Sequence, residues 1–117
     1  MEELRRHPAH EECAAAIERA ISLSEEKRGA ASPEDVESFG GGWVAEEALA
    51  IGVFCALAAP GFESALRLAV NHGGDSDSTG AIAGNLLGAS LGEAAIPVRW
   101  LDVLELREEI ARLAEEL

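Results

Sequence analysis

Tyrosine is absent from these 117 residues, and lysine occurs once, at Lys27. Phe39, Phe54, Phe62, Trp43 and Trp100 make up the whole aromatic complement, so a core has to come from many small contacts rather than large rings. Basic residues are also scarce, with nine Lys and Arg against 22 Asp and Glu and a formal charge of −13. A duplex-binding surface needs clustered cations to displace counterions; the deficit argues against nucleic acid and anionic membrane surfaces as direct partners. Cys13 and Cys55 are too few for a disulfide framework and share no metal-type spacing with each other or with histidine. Buried free thiols in a reducing cytosol are expected. The longest uncharged runs, Ala48 to Phe62 and Ser78 to Gly92, fall short of the roughly 18–20 residues that a membrane helix needs. Met1-Glu2-Glu3-Leu4-Arg5-Arg6 has no apolar run of the signal-peptide kind. The expectation is a soluble, cytoplasmic protein.

What is present in quantity is alanine, leucine, glutamate and arginine, the residues that lose least on entering a helix. Apolar residues make up 48% of the chain, enough for one domain that buries roughly two-thirds of its unfolded surface. Cys13, Ala16, Ile17, Ala20, Ile21 and Ser24 fall at i, i+3, i+4 spacing and predict an amphipathic first helix. Ser32-Pro33-Glu34-Asp35 is a helix start, with a capping hydroxyl, a first-turn proline and two acids facing the positive helix end. That short helix stops at Gly40-Gly41-Gly42. From Val44 a second long helix is charged only in its first turn and runs to Pro60-Gly61, which predicts a central, buried position. Phe62 to Val70 predicts a third amphipathic helix, broken at His72-Gly73-Gly74. Ser76 to Leu91 predicts a fourth. Val103, Leu106, Ile110, Leu113 and Leu117 recur at three- and four-residue steps and predict a packed terminal helix. No alternating strand pattern, internal repeat or linker interrupts the series. The fold class is all-α, in a single domain over residues 1–117.

Most of the functional information lies between Asn71 and Gly92. Asp75, Ser76, Asp77, Ser78 and Thr79 place two carboxylates and three hydroxyls in five positions, just after a Gly-Gly turn. Hard oxygen donors packed this closely suit Mg²⁺, Mn²⁺ or Ca²⁺. Asp75 and Ser78 stand three apart and can share a helix face, with Asp77 one step round. An N-capping run of Asp and Ser is the competing structural reading. Gly73-Gly74 favours a ligand, because paired glycines let one approach the backbone. Gly80, Gly84, Gly88 and Gly92 fall at four-residue intervals; each costs roughly 1 kcal/mol of helix propensity relative to alanine. Close packing of that glycine face against the buried helix at Val44 to Leu57 is expected. Asp75-x-Asp77-x-Thr79-Gly80 opens like a calcium EF-hand loop, but the twelfth position is Leu86 where a bidentate Glu is required. It also matches the Asp-x-Asp-x-Thr nucleophile motif of haloacid dehalogenase phosphatases. That motif follows a buried strand, and Leu66 to Val70 has a helical period.

Gly73-Gly74-Asp75-Ser76-Asp77-Ser78, followed by a small-residue helix, resembles the signature of the ADP-ribosylglycohydrolase family, relatives of the dinitrogenase reductase-activating glycohydrolase. Gly42-Trp43-Val44-Ala45-Glu46-Glu47-Ala48-Leu49-Ala50, Phe62 to Leu66 and Ile96-Pro97-Val98-Arg99-Trp100-Leu101 resemble members of bacterial type. The resemblance covers nearly the whole chain. It implies an all-helical fold and hydrolysis of the bond joining ADP-ribose to an acceptor side chain or small molecule. It also implies a centre of two Mg²⁺ ions, in some members Mn²⁺. Asp75, Asp77 and Ser78 match the second cluster of metal ligands, and Gly73 and Gly74 would lie close to substrate. Asn71 and His72 would end a helix or support the site from behind. No catalytic residue is assigned.

The family's first metal cluster, a Thr-Asp-Asp type motif, has no counterpart, because these residues contain no Asp-Asp pair. The chain thus resembles the C-terminal portion of the family's domain. Alone it is expected to hydrolyse ADP-ribosyl bonds poorly or not at all, and to self-associate through apolar surface left uncovered. A non-catalytic helical metal- or nucleotide-binding module is the alternative.

Overall fold

In the computed structural model, residues 1–8 and 10–117 are described, and among them there is no strand. Among the described residues, two 3₁₀ turns, Leu4–Arg6 before the first helix and Glu93–Ala95 after the fifth, accompany seven α-helices. These are α1 Glu11–Glu26, α2 Pro33–Glu37, α3 Ala45–Ala58, α4 Phe62–Val70, α5 Ser76–Leu91, α6 Val98–Leu101 and α7 Arg107–Glu116. The all-α class and the order of the elements are as the sequence predicts.

Helix α3 is the centre. Its apolar residues run round the helix, and Ala48, Ala50, Ile51, Gly52, Phe54, Cys55 and Ala58 are all buried. Helices α1, α4 and α5 pack around it. The core joins Ala20 of α1, Val36 and Phe39 near α2, Ala69 of α4 and Ala83 of α5 to this surface. The Phe39 and Phe54 rings meet within this core with centroids 5.2 Å apart. Arg19 stacks its guanidinium 4.7 Å from the Phe39 ring centre and donates to the Ser38 carbonyl at 2.8 Å, tying α1 to the end of α2. Burial of the Cys55 thiol pushes its pKa up to about 12. Cys13 is only half-buried, because it lies toward the rim of α1 and not, as expected, in the core. Ile21 is likewise exposed, and Ala14, Ala20 and Ser24 carry the buried stripe.

Two expectations about packing are corrected. The glycine face of α5 does not meet α3. A Cβ at Gly80 would sit 2.7 Å from Val70 Cγ1, and one at Gly84 would sit 3.8 Å from Leu66 Cδ1, so this face receives α4. Gly88 and Gly92 have open space beside them. The close approach of α3 to α5 comes instead from a glycine of α3: a Cβ on Gly52 would lie 2.4 Å from Ile82 Cγ2. Four-residue spacing defines a face, and it does not say which neighbour occupies it.

The terminal helix is the second correction. It begins at Arg107, after Leu106 in the left-handed region at φ 55°, and every residue from Asp102 to Leu117 is exposed. Ile110 and Leu113 stay about half accessible, at 49% and 53%. The periodicity located an apolar face correctly, but none of the described residues covers it. The segment before it is better anchored. Arg99 of α6 pairs with Glu63 of α4, and the Phe62 and Trp100 rings lie 6.3 Å apart. Arg99, and then Arg67, hold the Glu63 carboxyl below its ordinary value.

Candidate functional site

The turn between α4 and α5 positions the acidic cluster. Helix α4 ends at Val70, Asn71 to Gly74 reverse the chain, and Asp75 is the N-cap of α5. The Asp75 carboxylate accepts from the Ser78 backbone N–H at 3.4 Å, so the residue does cap its helix. Its own N–H donates to the Gly41 carbonyl at 2.8 Å. The loop of Gly40 to Gly42 therefore serves as a wall of the site. Gly42 needs its left-handed backbone (φ 74°), and its N–H donates to Glu47 Oε2 at 3.0 Å.

Gly74 meets this wall without clearance. A Cβ there would fall 1.9 Å from the Gly41 carbonyl oxygen, so the close backbone approach that Gly73-Gly74 permits is made at Gly74 by the chain's own loop. Gly73 remains exposed, and its N–H donates to Glu37 Oε1 at 3.3 Å. Glu37, Gly40, Gly41, His72, Gly73 and Gly74 line a shallow cleft of about 390 Å³. The largely exposed Trp43 indole lies against Gly41 at its rim.

Behind the cluster runs a directed hydrogen-bond chain. The Gly74 N–H donates to His72 Nδ1 at 3.1 Å, so that nitrogen must be unprotonated and Nε2 carries the hydrogen. Nε2 lies 2.9 Å from Thr79 Oγ1 and donates to it. The Thr79 hydroxyl, wholly buried, passes its hydrogen to the Ala69 carbonyl at 2.7 Å. Thr79 is therefore turned inward, and of the three hydroxyls in the motif only those of the half-buried Ser76 and Ser78 are left outside the core. Composition could not separate the three; the burial of one face of α5 does.

Asp77 is exposed, while Asp75 and Ser78 are half-buried. Hydrogen bonding with Ser78 holds the Asp75 carboxyl below its ordinary value against the opposing effect of desolvation. An ionised carboxylate beside a second carboxylate and a hydroxyl is a hard-oxygen donor set, suited to one face of a Mg²⁺ or Mn²⁺ ion. Among the described residues no group of three His, Cys, Asp and Glu side chains is placed to hold an ion. The donors fit part of a coordination shell and do not complete one. Glu37 and Glu47, which the motif reading did not single out, and Thr79, which it counted among the candidate hydroxyls, act here as supports of the surrounding loops.

The described residues make an all-helical protein with a cluster of carboxylate and hydroxyl side chains at the partly exposed start of an inner helix. The chain belongs to the ADP-ribosylglycohydrolase family, whose sequence profile matches residues 1–117. It is 46% identical over 56 residues to ADP-ribosylarginine hydrolase Tri1 of Serratia proteamaculans, covering 48% of this chain and 15% of that protein. It is 50% identical over 48 residues to the ADP-ribosyl-[dinitrogen reductase] glycohydrolase of Rhodospirillum rubrum, covering 41% and 16%. An uncharacterized protein of Archaeoglobus fulgidus is 39% identical over 82 residues, covering 70% of this chain and 26% of its own. The matched segments are thus a minor share of each relative's length. No solved structure matches the chain. Among the described residues, no helix is long and apolar enough to cross a membrane.

Proposed function

We propose that this chain is the C-terminal, ligand-bearing portion of an ADP-ribosyl glycohydrolase that cleaves the N- or O-glycosidic bond joining ADP-ribose to a modified protein or a small molecule. The observation that carries the reading is the family match over residues 1–117 together with the gathering of Asp75, Asp77 and Ser78 at one exposed helix start. In this reading Asp75, Asp77 and Ser78 supply the second set of ligands of a two-metal Mg²⁺ or Mn²⁺ centre. Bound divalent ions would orient ribose hydroxyls and a water while balancing developing charge. Gly73 and the cleft beside it border the substrate, and the exposed indole of Trp43 at the rim offers a flat face for one of its rings. Gly74 serves the same border from behind, by letting the Gly41 loop close on it.

The partial donor set favours low activity for the chain by itself: two carboxylates and a hydroxyl can hold one ion loosely but cannot fix two. It also keeps the second reading in play, a helical module that binds metal or nucleotide without catalysis. Calorimetric titration with Mg²⁺, Mn²⁺ and ADP-ribose separates them. Binding of metal and nucleotide together supports the hydrolase portion, binding of only one of them supports the module, and silence toward both overturns the two readings alike. Turnover of ADP-ribosyl-arginine by the purified chain with Mg²⁺, abolished in Asp77→Asn, would overturn the expectation of low activity.

A further inference from the structure

The hydrogen-bond chain behind the acidic cluster has a fixed direction, and His72 is the member that joins the turn before Asp75 to the helix after it. It accepts from the Gly74 N–H through Nδ1 and donates to Thr79 through Nε2. Those two partners bracket Asp75, one on the turn before it and one on the helix turn after it. Thr79 is anchored in turn at the Ala69 carbonyl of α4 and lies 3.1 Å from the Asp75 carbonyl. The imidazole thus staples the Gly73-Gly74 turn to the first turn of α5, with Asp75 held between them. Only a neutral ring with hydrogen on Nε2 can satisfy both contacts.

We propose that His72 is a positioning residue that, through Gly74 and Thr79, sets the placement of Asp75 and Ser78 for a divalent cation. It does not itself touch the ion. The inference rests on the reading of Asp75, Asp77 and Ser78 as cation ligands and adds to it the group that holds them in register. Side chains that orient ligands from behind commonly alter metal affinity by about 10- to 100-fold when lost.

The test uses nuclear magnetic resonance on the full chain, with Mn²⁺ as the probe. Long-range ¹⁵N–¹H spectra of the wild type should show the His72 ring with hydrogen on Nε2, a readout that needs no variant to fold. Mn²⁺ should broaden the Ser76, Asp77 and Ser78 amide signals. In His72→Leu, which can make neither contact, the Mn²⁺ concentration for half-broadening should rise about tenfold, while the amide signals of α1 and α3 stay in place. His72→Gln, whose amide can still donate to Thr79, should recover most of that loss. A ring with hydrogen on Nδ1, or a leucine variant broadened as readily as the wild type, overturns the proposal alone. Absence of broadening in the wild type overturns the cation reading itself, and the proposal with it.

Discussion

Gly74 shows how little freedom the site leaves its backbone. Adding one methyl would place carbon 1.9 Å from the Gly41 carbonyl oxygen, a contact relieved only by moving the turn or the facing loop. Overpacking of this kind typically costs about 1–3 kcal/mol, so Gly74→Ala should lower stability to urea by that amount. The Asp75 N–H bond to Gly41 should be lost with it. Gly73→Ala faces only Glu37 Oε1, at 3.7 Å, and should change stability by less than about 0.5 kcal/mol. Equal losses in the two variants would refute the assignment of the tight approach to Gly74. The sequence made the pair visible, but two adjacent glycines look alike in one dimension. Which of them needed to be glycine depended on a loop some thirty residues earlier. His72 was equally ambiguous, because a histidine beside a glycine turn has no signature for what its two nitrogens meet.

Among the elements, α2 is the most legible, because its determinants are local. Ser32 and Asp35 form a reciprocal capping box, the Ser32 N–H donating to Asp35 Oδ2 at 2.9 Å, and Pro33 presets the first turn. Ser32→Ala should cost about 1 kcal/mol. The Ser32 backbone N–H, with Lys27 and the Ser32 hydroxyl also contributing, lowers the Asp35 pKa from its ordinary 3.8. A carboxyl whose folded value lies below its unfolded one stabilises fully above the unfolded value, and this is lost as pH falls through the folded one. The gap in urea midpoint between wild type and Asp35→Asn should therefore be constant near neutrality and close as pH drops below 3.8. A gap that persists at lower pH would sink this account. Helix α5 was legible in extent but not in its neighbours. Its glycine period predicted a partner, and the fold gave that face to α4 because Gly52, on α3, already supplied the close contact on the other side.

Across the whole molecule, apolar surface is distributed unevenly. Residues 102–117 are all exposed, and Val53, Ala56, Leu57, Leu86 and Leu87 line an apolar cleft of about 250 Å³ between α3 and α5. Deleting residues 107–117 should leave the thermal midpoint nearly unchanged, since the segment buries none of its residues. Sedimentation velocity should show the intact chain gaining mass with concentration, and Ile110→Glu with Leu113→Glu should suppress that gain. A midpoint that falls by many degrees on deletion would mean that α7 packs on the body after all. A single species at every concentration would argue against self-association through this face.

The order of the helices, and the extent of those from α1 to α5, were decided by the sequence alone, because capping residues, proline and glycine breaks and 3.6-residue periodicity act within a few positions of the chain. So was the presence of a hard-oxygen cluster, since five consecutive residues carry it. What only the tertiary structure decided is which side each group faces and what it meets. Thr79 turns into the core while Asp77 is exposed and Ser78 lies half-buried between them. Gly74 is closed by Gly41, and the apolar stripe of α7 finds nothing beneath it. These are contacts between segments far apart in the chain, and side-chain spacing fixes a face without naming its neighbour.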